Sequence, residues 1–218
     1  MSWALFARKE RWGLTLRGRI AALILLAAGA WVARNQAYAF LAVNAPLSAD
    51  LLVVEGWFIE RNAALAAAEF KRGQYHQMLV VQASYEGERP GYRTGRDAQD
   101  YSAQLLARYG VPRSAFGVLS YPAVERDRTY HGALAAREWM RETGRSEVSF
   151  NVATLGAHAR RSRLLFQKAY GRADGIGVVA LVDPMFDPAR WWRNSEGVRD
   201  VIGESLAYGY ALYFAWFN

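Results

Sequence analysis

From Asp50 onward, short apolar runs of strand length alternate with longer segments of helical spacing, and a helical segment separates each strand-like run from the next. Few folds are open to such a chain. Strands joined through helices pair in parallel by crossover connections, and the helices then cover both faces of the sheet. The strand-like runs are 51–56, 78–82, 116–121, 148–153 and 176–182. The helical segments are 59–73, 96–109 and 128–143, closed at Gly73, Gly110 and Gly144, and a stretch ending at Tyr170. Residues 189 to about 217 read as mostly helical, with breaks expected near Gly203 or Gly209. The expected fold class is α/β, a mainly parallel sheet of about five strands. Ligands of such sheets bind beyond the carboxyl ends of the strands.

Ahead of this domain, Ile20 to Ala33 is an uninterrupted apolar run between Arg19 and Arg34. A spanning helix needs about 20 residues, so the run is short. Arg17, Arg19 and Arg34 can snorkel to the headgroups and lengthen it, with Trp12, Trp31 and Tyr38 at the interfaces. The expectation is one N-terminal transmembrane helix. Residues 1–19 form a basic cytoplasmic segment, 20–43 the anchor and linker, and 44–218 the folded domain beyond the membrane. Two alternatives stand beside it. One is a cleaved signal peptide with Ala37-Tyr38-Ala39 as its small-residue site, and the other is a buried core helix. Residues 1–19 carry Arg8, Lys9, Arg11, Arg17 and Arg19 against Glu10 alone, more than half of the net charge of +7. The charge is therefore positional, and no nucleic-acid partner is expected.

Residues 148–171, VSFNVATLGAHARRSRLLFQKAYG, carry the densest functional signal. They read as a buried strand, a turn at Thr154-Leu155-Gly156 and a helix. Cations ought to avoid a helix N-terminus, yet His158, Arg160, Arg161 and Arg163 gather there. An anion in front of them would explain the arrangement, and a solvated basic face is the plain alternative. His158 is the leading catalytic candidate, because imidazole titrates near neutrality. It lies three residues from Arg161, on one helix face. Glu55 ends an apolar strand and suits a general acid or base, or else pairs with Arg61 or another arginine of the rim. Asp127 and Thr129 stand where the third helix starts, beside Arg128, and either can cap it. Gly56 allows close backbone approach. The same rim would collect Trp57, Ser84, Tyr85, Glu86, Glu125, Arg126, Thr154, Asp183 and Asp187. The catalytic candidates are thus His158, Glu55 and Asp127. The ligand-binding candidates are Gly56, Arg61, Arg128, Thr129, Thr154, Arg160, Arg161 and Arg163. His131 and His76 carry little signal.

The chain has no cysteine, which excludes disulfides, thiolate metal sites and a cysteine nucleophile. It lacks G-x-G-x-x-G, G-x-x-x-x-G-K-[ST] and G-x-S-x-G, so a dinucleotide fingerprint, a P-loop and a nucleophile elbow are absent. No two histidines stand at metal-ligand spacing, so no metal site is expected, and the sequence names no cofactor. Trp191, Trp192, Tyr208, Tyr210, Tyr213, Phe214, Trp216 and Phe217 make the C-terminus aromatic. Most of these belong to the core, and some can touch a bilayer.

Ala49 to Gly56, Arg128-Thr129-Tyr130 with Ala133, Thr154 with His158 and Arg161, and Trp192 with Glu204 together resemble the YdcF/SanA/ElyC-like family, domain of unknown function 218. The likeness runs from about Ala49 to Tyr208. Leu155, Gly132 and Gln82-Ala83-Ser84 depart from the family's usual serine, asparagine and Ser-Gly-Gly. The resemblance implies a Rossmann-like three-layer fold. It also implies, as in many members, a single anchor and a role in the bacterial envelope: cell-wall, surface-polysaccharide or lipid-carrier metabolism. The ligand expected from the basic rim is a phosphorylated or pyrophosphorylated envelope intermediate at the inner membrane, hydrolysed or transferred at phosphate. A non-catalytic regulator of a membrane partner and a cytoplasmic-facing nucleotide or adenosyl-cofactor enzyme are the alternatives.

Overall fold

The computed structural model of the protein describes residues 14–56, 60–84 and 95–217. The basic segment before Leu14, Trp57, and the loop carrying Tyr85 and Glu86 lie outside the described residues. The chain divides between Gln36 and Ala37. Helix α1 spans Leu16–Leu41. It outruns the apolar stretch Ile20–Ala33 because neither glycine nor proline follows until Pro46. Its 26 residues measure about 39 Å at 1.5 Å per residue, against a hydrocarbon core of about 30 Å. The apolar window has a mean hydropathy of 1.6, and none of it is buried within the chain. A core helix would bury one face, and this window buries no residue among the described ones. By length and composition α1 can cross a membrane.

From Ala37 the chain forms the α/β unit expected from the alternation. Its elements are β1 Leu51–Glu55, α2 Glu60–Arg72, β2 Gln77–Ser84, α3 Gly95–Arg108, β3 Phe116–Pro122, α4 Arg128–Glu142, β4 Phe150–Leu155, α5 Ala159–Tyr170, β5 Ile176–Leu181 and α6 Ser195–Phe217. The five strands are all parallel, in the order β3-β2-β1-β4-β5. Val53 lies between Leu79 of β2 and Val152 of β4. Alternate residues of β1 feed opposite faces. Leu52 and Val54 pack with Ala66, Phe70 and Leu106, while Leu51 and Val53 pack with Ala133, Met140 and Phe166. Helices α2 and α3 therefore cover one face and α4 and α5 the other, in a Rossmann-like three-layer arrangement. The order reverses between β1 and β4, so the ligand crevice of the fold lies beyond Glu55 and Leu155.

Two boundaries differ from the sequence expectation. Strand β4 begins at Phe150, because Val148 is outside the sheet and its N–H closes a turn on the Arg145 carbonyl at 3.0 Å. The C-terminal helix does not break at Gly203 or Gly209. A helical glycine costs only about 1 kcal/mol relative to alanine, and Val201 and Ala211, both buried, anchor the helix around them. The break falls at Asn194 instead. A 3-10 turn over Pro188–Arg193 ends there, and Asn194 Oδ1 accepts the Glu196 N–H at 2.8 Å to open α6.

The linker after α1 is fastened to the sheet. Ala45 and Val178 form an antiparallel bridge, with N–H to carbonyl distances of 2.9 and 3.1 Å. Asn151 of β4 is fully buried and grips the backbone of Leu47. Its Oδ1 accepts the Leu47 N–H at 2.8 Å, and its Nδ2 donates to the Leu47 carbonyl at 2.8 Å and to Tyr75 Oη at 3.0 Å. A polar residue within an apolar strand is tolerated here because its bonds are satisfied.

Candidate functional site

Strand β1 ends on Glu55, and β4 runs through Thr154 and Leu155 into a 3-10 turn over Gly156–His158 that opens α5. Gly156 has φ +36°, a conformation that lets the chain turn sharply enough to bring His158 back over the sheet edge. Neither α4 nor α5 has a side-chain cap at its N-terminus. Asp127 occupies the N-cap position of α4 with φ 53° and makes no capping bond, so its expected capping role is corrected. Thr129 does not cap either. Its Oγ1 lies 3.4 Å from His158 Nε2, a long contact that joins the start of α4 to the start of α5.

The centre of the site is His158, whose side chain is 11% exposed. Its Nδ1 lies 2.8 Å from Glu204 Oε1 and 2.8 Å from Arg161 Nη2. A carboxylate only accepts and a guanidinium only donates, so the two contacts require opposite tautomers. Arg161 already donates to Glu204 through Nε at 2.8 Å and Nη2 at 3.0 Å. Placing the imidazole proton on Nδ1 adds a charge-assisted bond to Glu204, whereas the other tautomer sets a lone pair against the carboxylate. A proton is therefore assigned to Nδ1, and Nε2 faces the rim. Beside Nε2 lie Thr129 Oγ1 and, at 3.8 Å, Glu55 Oε2. The Glu55 side chain is 9% exposed and accepts a hydrogen bond from Ser162 Oγ. Hydroxyl, imidazole and carboxylate thus stand in the order Thr129, His158, Glu204. Such an order holds an imidazole in one tautomer and lets it shuttle a proton.

Burial alone would raise the pKa of Glu204, but hydrogen bonds from His158 and Arg161 and their charges outweigh it and hold the carboxyl down to about 2. Burial likewise opposes the charge on Arg161, and Glu204 keeps its pKa above the ordinary arginine value. Asp200 lies one helical turn before Glu204. Burial, then the charge of Glu204, pushes it up to about 6. Between these groups and the loop after β5 lies a cavity of about 340 Å³, lined by Asp183, Met185, Phe186, Glu196, Arg199, Asp200, Gly203 and Glu204. It is acidic, so an anion would approach His158 from the Nε2 side.

The two carboxyls act on stability with opposite signs. Asp200 binds its proton more tightly in the folded state, so stability falls as pH rises from about 4 towards its folded pKa of about 6. Glu204 releases its proton more easily when folded, so stability falls as pH drops below the usual glutamate range towards about 2. Asp200→Asn is expected to flatten the first slope. After allowance for solvent screening it stabilises the protein at pH 7 by about 1 kcal/mol. Thermal unfolding of parent and variant at pH 4, 5, 6 and 7 checks this, and parallel curves for the two would refute it.

Of the residues expected at the rim, the structure brings together Glu55, Thr129, His158 and Arg161. Thr154 is buried at the end of β4. Arg160 turns away: its Nε donates to the Phe40 carbonyl, and its guanidinium sits 3.9 Å from the centre of the Phe40 ring. Arg163 is not among the hydrogen-bond partners of His158, Arg161 or Glu204, and its Nε is buried without a hydrogen-bond partner among the described residues. Arg128 is exposed, and its carbonyl accepts from Tyr121 Oη at 3.0 Å. The Arg61 side chain lies outside the described residues. Gly56 has a packing reason of its own, since a Cβ there would lie 2.6 Å from the Val81 carbonyl oxygen. Asp183 reaches the cavity, whereas Asp187 accepts the Ala189 N–H and starts the 3-10 turn. The contributions of Ser162 and Asp200, and the partner role of Glu204, were not expected. The sequence signal of Asp200 and Glu204 was available, because they stand four apart and are the last two carboxylates before the uncharged remainder of the helix. Among the described residues no three histidine or carboxylate side chains are grouped to hold a metal ion. The sequence matches no family model and none of the curated proteins with which it was compared.

Proposed function

We propose that this is a single-pass bacterial inner-membrane protein whose folded unit lies outside the cytoplasm. Its rim at the β1–β4 reversal binds the phosphate or pyrophosphate of an envelope intermediate, and His158 serves as general acid or base. The observation that carries the reading is the convergence of two uncapped helix starts on an imidazole of fixed tautomer. Uncapped N–H groups and the positive ends of α4 and α5 suit an anion, and Nε2 is the atom left to exchange a proton with it. Arg161 is already matched by Glu204, so the helix ends supply most of the attraction. The resemblance to the YdcF/SanA/ElyC-like family agrees with this reading and extends it to cell-wall, surface-polysaccharide or lipid-carrier metabolism.

The test uses the full-length protein in detergent, with calorimetric titration of pyrophosphate and phosphate release from a polyprenyl pyrophosphate. The parent is expected to bind pyrophosphate and to release phosphate. His158→Gln should bind within a few-fold of the parent and lose about 10²–10⁴ in rate. No binding by the parent would sink the reading, and full turnover by the variant would remove His158 from catalysis. A second reading, a non-catalytic binding module, is favoured by the way His158, Arg161 and Glu204 satisfy one another without a ligand. Binding without turnover by the parent would select it. Topology is tested by reporters fused after Asn218. Activity of a periplasm-dependent reporter is expected, and activity only of a cytoplasm-dependent one would promote a cytoplasmic cofactor enzyme instead.

A further inference from the structure

Two hydroxyls belong to the site, and the structure uses them differently. Ser162 is fully buried, and its Oγ donates to Glu55 Oε2. Thr129 is half-buried at the second position of α4, and its Oγ1 lies 3.4 Å from His158 Nε2. A helical threonine ordinarily caps its helix or bonds a carbonyl one turn back. Thr143, at the other end of α4, does the latter and donates to the Trp139 carbonyl at 2.8 Å. Thr129 does neither, and among the described residues the hydrogen-bond partner of its hydroxyl is His158. The carboxylate oxygen beside Nε2, Glu55 Oε2, is farther away at 3.8 Å and already accepts from Ser162.

We propose that Thr129 is the nucleophile of the site and that the phosphoryl group of the ligand passes through a covalent phosphothreonine. The proposal rests on the reading of this rim as a phosphate site with His158 as general acid or base. Nucleophile, base and orienting carboxylate are then Thr129, His158 and Glu204, the last fixed to Nδ1 at 2.8 Å. A separation of 3.4 Å is at the loose end for a nucleophile and its base, and such pairs tighten when substrate is seated. The backbone around the hydroxyl suits the same role. The first bond of α4 runs from the His131 N–H to the Asp127 carbonyl at 3.0 Å, so the Thr129 and Tyr130 N–H groups have no partner within the helix. They stand where charge builds on phosphoryl oxygens as Oγ1 attacks.

With a pyrophosphate ester, Thr129 Oγ1 attacks the terminal phosphorus. The Oγ1–P bond forms and the bridging P–O bond breaks. The hydroxyl proton passes to Nε2 and then to the oxygen of the departing monophosphate, and Glu204 balances the positive imidazole between the two transfers. Water next attacks the same phosphorus, and its proton passes to Nε2. The P–Oγ1 bond breaks as Oγ1 recovers that proton. The products are orthophosphate and the monophosphate ester, so the reaction is hydrolysis by two successive displacements.

The test uses the full-length protein in detergent and a polyprenyl pyrophosphate radiolabelled in its terminal phosphoryl group, with acid quenching over a range of times. Phosphothreonine survives acid, whereas phosphohistidine does not. Arg137, Arg141 and Arg145 lie between Thr129 and His158, so tryptic peptides separate the two. The parent is expected to turn over and to carry label on Thr129, and Thr129→Ser should still take label. Thr129→Val keeps the shape without the hydroxyl. It should bind pyrophosphate within a few-fold of the parent and lose at least about 10³ in rate. Nucleophile and base act as a unit, so Thr129→Val combined with His158→Gln should cost less than the product of the single losses. If the parent turns over and Thr129→Val does so within a few-fold, or if labelled Thr129 appears at no quench time, water attacks directly. The proposal is then wrong while the phosphate-site reading stands. Label that acid removes and alkali preserves on the His158 peptide overturns the proposal in favour of the imidazole as nucleophile. If the parent binds pyrophosphate without turnover, the site is a binding module and the proposal fails. If the parent does not bind it either, the phosphate-site reading falls and takes the proposal with it.

Discussion

Glu204→Ala is expected to lower the unfolding free energy of the full-length protein by roughly 3–5 kcal/mol, the usual loss when one partner of a buried ion pair is removed. Glu204 is 15% exposed and accepts from Arg161 Nε and Nη2 and from His158 Nδ1. Its removal strands a guanidinium that is itself 19% exposed and frees the imidazole to change tautomer. Glu204→Gln keeps one acceptor and much of the shape, so its cost should be smaller. The pair Arg161→Met with Glu204→Leu should recover most of the loss, because hydrophobic replacement of a whole buried pair is often neutral. Denaturant titration in detergent orders the three variants. A loss below about 1 kcal/mol for Glu204→Ala, the range of surface ion pairs, would show that the cluster is solvated and does not pin α5 to α6.

Gly177→Ala is the second large effect, and its sign runs against propensity. Within a strand, alanine is ordinarily better than glycine by about 0.5–1 kcal/mol. At this position a Cβ would lie 1.9 Å from Asn151 Oδ1, 2.8 Å from the Leu47 nitrogen and 3.1 Å from the Ala45 carbonyl oxygen. These are the groups that fasten the linker, and two of them are backbone. The substitution is expected to destabilise by about 1–3 kcal/mol through overpacking and to make residues 42–50 more sensitive to protease. Combining it with Asn151→Ala removes one of the colliding groups, so the double variant should lose less than the sum of the singles. Strict additivity would mean that the linker is not held through Asn151.

The fold was legible because its signal is local and repeated. Five apolar runs with helical segments between them admit a parallel sheet, and glycines after three of the helices marked their ends. The errors arose where a local preference met a larger packing term. Gly203 and Gly209 weaken a helix by propensity, but buried Val201 and Ala211 hold α6 together on either side of them. Val148 continued the apolar pattern of β4 and yet fell into the preceding turn.

The candidate site was legible only in part. His158, Arg161, Thr129 and Glu55 were marked by their place after strands, a rule of the parallel sheet that needs no coordinates. The arginine excess at the start of α5 was read as one anion-binding group, and the structure divides it. At 100° per residue, neighbouring arginines of a helix point apart. Arg161 therefore turns to Glu204, while Arg160 turns to Phe40. By itself the sequence determined the alternation, the parallel sheet, the apolar N-terminal helix and the rim on which chemistry can sit, because each follows from residue spacing along the chain. Only the tertiary structure decided the strand order, the tautomer of His158, the matching of Arg161 by Glu204 43 residues away, and the clasp of Asn151 on Leu47. Those depend on groups distant in sequence meeting at hydrogen-bond range, which no local pattern encodes.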